Sequence, residues 1–188
     1  MTSNKPRNIR IFLSSPGDVF AERNAVFNIL ETVSHDTNMR DLVSLELVDW
    51  SGTPLLATMT PQEAINQGLP LPSQCDIVIV IFWSRMGTPL PDNYRKPDGT
   101  RYLSGTEWEY LNAFDAANDS DRPILIVYRR TDDIALNPRD PDFMTKYEQF
   151  QRVEDFFVSF TNPDGSIKQG YNTYRTLDNF REAFDAHI

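Results

Sequence analysis

Cysteine and histidine are almost missing: the 188-residue chain has one cysteine, Cys75, and two histidines. A lone cysteine excludes any disulfide within the chain and fits a reducing, cytoplasmic setting. So few soft ligands argue against a zinc centre, and no metal site is assigned. Long apolar runs are missing too. The longest, Ile77 to Trp83, is far too short to span a bilayer, and the polar start "MTSNKPRN" carries no apolar signal region. Positive charge is in the minority, with 18 basic against 27 acidic residues and a net charge of −9. That balance disfavours general binding to nucleic acid or to an anionic membrane. A local basic patch stays open, since Arg7, Arg10, Arg85, Arg129 and Arg130 could gather. Glycine-rich phosphate fingerprints are absent, both G-x-G-x-x-G and the P-loop, and so is G-x-S-x-G. A conventional dinucleotide dehydrogenase, a P-loop NTPase and an α/β-hydrolase are therefore not expected.

What is present is an alternation of short apolar runs with helical patterns. "IRIFLSS" at 9–15 reads as a buried strand. Ser15, Pro16 and Asp18 then form a helix start, with Val19, Val26, Leu30 and Val33 on one face. "LVSLELVDW" at 42–50 is a second strand. Thr60, Pro61 and Glu63 open a short helix to about Gly68. "CDIVIVIFW" at 75–83 is the strongest strand, apolar enough to be covered on both faces. A long loop, a helix from Ser104, a strand at 122–130, a helix near 141–160, one short strand and a helix from about Leu177 complete the order. Such alternation implies a mostly parallel sheet of four to five strands with helices on both faces, in one domain over 1–188.

Ligands of open parallel sheets bind beyond the carboxyl ends of the strands. Those ends carry Ser14 and Ser15, Asp49 and Trp50, Trp83 to Arg85, and Arg129 and Arg130. Tryptophan suits stacking on a base or nicotinamide ring, and arginine suits phosphate. Each has a plainer reading as well: a packing tryptophan, or a serine at a helix start.

The stretch "YLSGTEWEYLNAFDAA", 102–117, sets the sharpest question. Ser104 and Glu107 form a capping box, and Leu103 with Trp108 matches a hydrophobic staple. Glu109 has no such role, although the helix dipole favours a carboxylate there. On a helical wheel Tyr110, Leu111, Phe114 and Ala117 define the apolar face. Glu107 falls on that side and Glu109 nearly opposite. Geometry alone does not choose between the two glutamates.

Taken together, "IRIFLSSPGD", "CDIVIVIFWS" and "SGTEWEYLNAF" resemble the TIR-like superfamily. More narrowly, they resemble a TIR-related domain found at the N-termini of STAND-type, NLR-like NTPases. The resemblance covers about residues 8–130. It implies a flavodoxin-like, three-layer α/β sandwich, and a module at the start of a longer multidomain protein. In enzymatic members a glutamate on the third helix cleaves NAD. It is followed by two apolar residues, then a small one at the fourth position and an apolar one at the fifth. Glu109 fits that register through Tyr110, Leu111, Ala113 and Phe114; Glu107 fits less well. The family's tryptophan four residues earlier is Gly105 here. Ser15 and Asp18 match the family's first-strand S-x-x-D. The implied pocket has Glu109, or else Glu107, as catalytic carboxylate, with Ser14, Ser15, Asp18, Trp50, Trp83 and Arg85 contacting the nucleotide. NAD is then substrate rather than a held cofactor, and the partners are further copies and the other domains of the parent protein. A non-enzymatic interaction module and a deoxyribosyltransferase-like enzyme are the alternatives.

Overall fold

Six consecutive apolar residues, Ile77–Phe82, become the middle strand of a sheet and are buried almost throughout. The computed structural model describes residues 6–49 and 70–188. In it, β1 (Arg7–Ser14), β2 (Val43–Val48), β3 (Ile77–Phe82), β4 (Ile124–Arg130) and β5 (Asn172–Tyr174) form one sheet in the order β2-β1-β3-β4-β5. Every pairing is parallel, with Ile11 beside Leu47 and Ile77, and Ile79 beside Ile126. The helices are α1 (Phe20–His35), α2 (Gly105–Asp119), α3 (Phe143–Val158) and α4 (Leu177–His187).

Strand alternation sorts the side chains into two apolar layers. Phe12, Val78, Val80, Phe82 and Val127 pack with Tyr110 and Ala113 of α2 and with Val153, Phe156 and Phe157 of α3. Ile11, Leu13, Ile79, Ile81 and Tyr128 pack with Val26 and Leu30 of α1 and with Phe180 and Phe184 of α4. The result is a flavodoxin-like three-layer sandwich; its parallel sheet with helices on both faces is what the sequence alternation predicts. Among the described residues no helix is long and apolar enough to cross a membrane.

Two expectations change. The first concerns α1, which starts at Phe20 and not after Ser15, with Val19 as an N-cap that makes no side-chain bond. Residues 15–19 form a turn because their polar side chains have other partners: Arg23 donates to Ser15 Oγ at 2.7 Å, and Asp18 turns toward Ser84. The second concerns the arginines. Arg7 and Arg10 sit on the opposite half of β1 from Ser14, beside Asp76 and Glu46. Arg129 and Arg130 end β4, so no joint basic patch forms. The helix expected at 60–68 lies outside the described residues.

The loop after β3 is pinned at Gly87. Its φ is +110°, and a Cβ there would meet Ser104 Cβ at 3.3 Å and Thr106 Oγ1 at 3.4 Å. Its N–H and that of Met86 both donate to Gln149 Oε1, at 3.2 and 3.0 Å. Gly87→Ala meets both backbone strain and crowding, and is expected to lower stability by about 1–3 kcal/mol. Urea unfolding measures this; an unchanged midpoint would refute the tight approach.

Burial also sets an alkaline limit. It pushes the Cys75 thiol up from 9.0 to about 12 and raises the phenols of Tyr110, Tyr128 and Tyr174 above their usual range. These groups are neutral when folded, and the unfolded chain loses their protons first. Stability is therefore complete below about pH 9 and falls as pH rises through the folded-state values. Absorbance at 295 nm should show three of the seven tyrosines ionising only with unfolding.

Candidate active site at the strand ends

The strand order reverses between β1 and β3, which places the ligand crevice of this architecture at the carboxyl ends of those two strands. Ser14 and Asp18 border it from the β1 side, and Trp83 and Ser84 from the β3 side. Asp18 Oδ2 accepts from both the N–H and the hydroxyl of Ser84, each at 2.8 Å. The turn after β1 is thereby tied to the end of β3 across the switch point.

Ser14 shares the parity of Phe12 and so faces α2. Its hydroxyl donates to Glu109 Oε2 at 2.6 Å. Glu109 is only 2% exposed. On a helical wheel this residue falls nearly opposite the apolar face, but in the structure it lies on the buried side of the helix. The buried positions of α2 are Thr106, Glu107, Glu109, Tyr110 and Ala113. Its first turns lie over the strand ends, where β1 offers a hydroxyl, so a carboxylate is accommodated on the inner side.

Glu107 is buried as well, but at the helix start. Its own N–H donates to Ser104 Oγ at 3.1 Å. Its Oε2 accepts from the Leu103 N–H at 2.5 Å, and its Oε1 accepts from Lys96 Nζ at 2.7 Å. The return arm of the capping box thus lands one residue before the N-cap. Both oxygens fasten the long loop to the start of α2.

A second polar cluster lies on the opposite face of the sheet, beside α1. Glu22 is 1% exposed. Its Oε1 accepts from Arg130 Nη1 at 3.2 Å and from the Tyr174 hydroxyl at 3.1 Å. Arg130 also grips Asp132 through two bonds of 2.6 Å and lies over the Trp83 ring at 3.9 Å. One face of Trp83 is therefore already covered by a guanidinium. Three buried polar atoms among the described residues lack a hydrogen-bond partner: Asp18 Oδ1, Glu22 Oε2 and Trp83 Nε1. Arg23 joins Ser15 to Asp49 at the end of β2.

Of the residues singled out in the sequence, Ser14 and Glu109 meet directly, Asp18 and Ser15 border the same turn, and Trp83 belongs to the Arg130 cluster. Arg85 is exposed on the loop beyond β3. Trp50 lies outside the described residues. The sequence reading missed Glu22, Arg23 and Tyr174. A signal for the first two was present: with Val19, Val26 and Leu30 they occupy one helical stripe, and charge inside an apolar stripe marks a buried polar site. Among the described residues no group of three or more His, Cys, Asp or Glu is arranged to hold a metal ion.

These features define an α/β flavodoxin-like architecture with a buried carboxylate at its switch point. No protein-family model matches the chain, and no curated protein matches it.

Removing the cation beside a buried carboxylate leaves that charge uncompensated. Arg130→Met is therefore expected to cost about 3 kcal/mol, and adding Glu22→Gln to recover part of that loss. Chemical denaturation of both variants measures it. Wild-type stability in Arg130→Met would remove the network from the account of the fold.

Proposed function

We propose that the chain is a TIR-like effector and signalling domain that cleaves the nicotinamide–ribose bond of NAD when it oligomerises, with Glu109 as the catalytic carboxylate. The observation that carries this reading is the buried Glu109 carboxylate, held by Ser14 at the carboxyl end of β1. Breaking the bond sends its electron pair to the ring nitrogen, so a cationic pyridinium leaves as neutral nicotinamide. No general acid is required. The ribosyl fragment becomes oxocarbenium-like, and an ionised carboxylate stabilises it until water adds at the anomeric carbon. One glutamate suffices for this chemistry. Ser14 orients the carboxylate, and Asp18 with Ser84 braces the crevice beside it.

At 2% exposure Glu109 is closed to substrate in this conformation. Turnover then needs an opening step, and assembly of several copies is a natural trigger. A cytoplasmic setting, where NAD is plentiful, goes with this reading.

A second reading rests on a different observation. Phe20 and Phe27, seven residues apart on α1, are 68% and 41% exposed. That spacing puts both on one helical side, which suits a non-enzymatic module working through homotypic contact.

The purified protein, incubated with NAD over a wide concentration range, separates the two. The first reading expects nicotinamide release that rises more steeply than protein concentration. It expects a loss of about a hundredfold or more in Glu109→Gln and activity retained in Glu107→Gln. The second expects no release at any concentration, and assembly that Phe20→Asp abolishes.

A further inference from the structure

A cavity of about 350 Å³ opens at the carboxyl ends of β3 and β4, away from the Ser14–Glu109 pair. The 131–136 connection and α3 wall it in. Its lining includes Trp83, Arg129 and Arg130 from the strand ends, and Tyr147 and Phe150 from α3. We propose that it is a separate binding site for one uncharged or cationic planar heteroaromatic ring, such as the base of a nucleoside, and that it rejects the phosphorylated form.

Three observations carry this. The first is the state of the arginines. Arg130 donates to Asp132 and Glu22 and lies over Trp83 at 3.9 Å; Arg129 pairs with Glu154 and lies over Phe157 at 4.7 Å. Guanidiniums held in this way are fixed planar surfaces, and the fork that would seize a phosphate is already occupied on Arg130. The second is charge. Asp132, Asp133 and Glu154 also line the cavity, so three carboxylates face two guanidiniums, and an added anion meets net repulsion. The third is size and wall chemistry. The volume is at the small end for ligand pockets, enough for a ring with at most its sugar. Tyr147 and Phe150 supply aromatic surface for stacking, worth about a tenfold change in affinity or more when truncated.

The site does not depend on Glu109, so it stands or falls apart from the NAD reading. The test is isothermal titration of the intact chain with adenosine and, separately, with AMP. Adenosine is expected to bind with a dissociation constant below about 1 mM, and AMP at least about tenfold more weakly. Phe150→Ala should weaken adenosine about tenfold. Tyr147→Ala should do the same; its side chain is 39% exposed, so its loss leaves the core intact. Glu109→Gln should bind adenosine as the wild type does. AMP binding as tightly as adenosine would overturn the proposal by assigning the cavity to phosphate. Adenosine binding at full strength in both aromatic variants, or absent from the wild type, would overturn it as well.

Discussion

Everything in this molecule follows from having to cover β3 on both faces. A strand reading Ile-Val-Ile-Val-Ile-Phe has no side that tolerates water, so helices must lie above and below it. Parallel pairing on each side follows, because the connections that return the chain are those same helices. The alternation of side chains then decides which helix each strand-end residue meets. Ser14 continues the Phe12 side and reaches α2; Trp83 and Arg130 continue the Ile81 and Tyr128 side and reach α1 and the β5 strand. Two polar clusters on opposite faces of the sheet result from one rule of strand geometry.

The polar residues at these ends are stabilised by one another. A carboxylate as buried as Glu109 or Glu22 persists only with donors at hand, since an unpaired buried charge is costly. Ser14 supplies a donor in one case, Arg130 and Tyr174 in the other. Asp18 and Glu22 each keep one buried oxygen without a partner, near the limit of what burial tolerates.

Much of the fold was legible. The strands at 9–15, 75–83 and 122–130 announce themselves by composition, because a buried parallel strand is apolar without interruption. The helix at Ser104 announces itself by its cap. The start of α1 was not legible: Ser15 and Asp18 look like capping residues, and only long-range partners, Arg23 and Ser84, draw them away. The inward placement of Glu109 was hidden for a related reason. A helical wheel weighs apolar residues only, and it cannot know that the strand below ends in a hydroxyl.

The sequence by itself determined the layer architecture, the parallel sheet and the short list of residues at its carboxyl edge. Local patterning and burial of apolar surface dictate those, whatever else the chain does. Tertiary structure alone decided the rest: that Glu107 is spent on Leu103 and Lys96, that Glu109 turns inward to Ser14, and that Arg130 is committed to acids before any ligand arrives. The bonds of Ser14 to Glu109 and of Arg130 to Glu22 join residues 95 and 108 positions apart, and Lys96 reaches Glu107 across a folded loop. Their geometry exists only once the strands are in register.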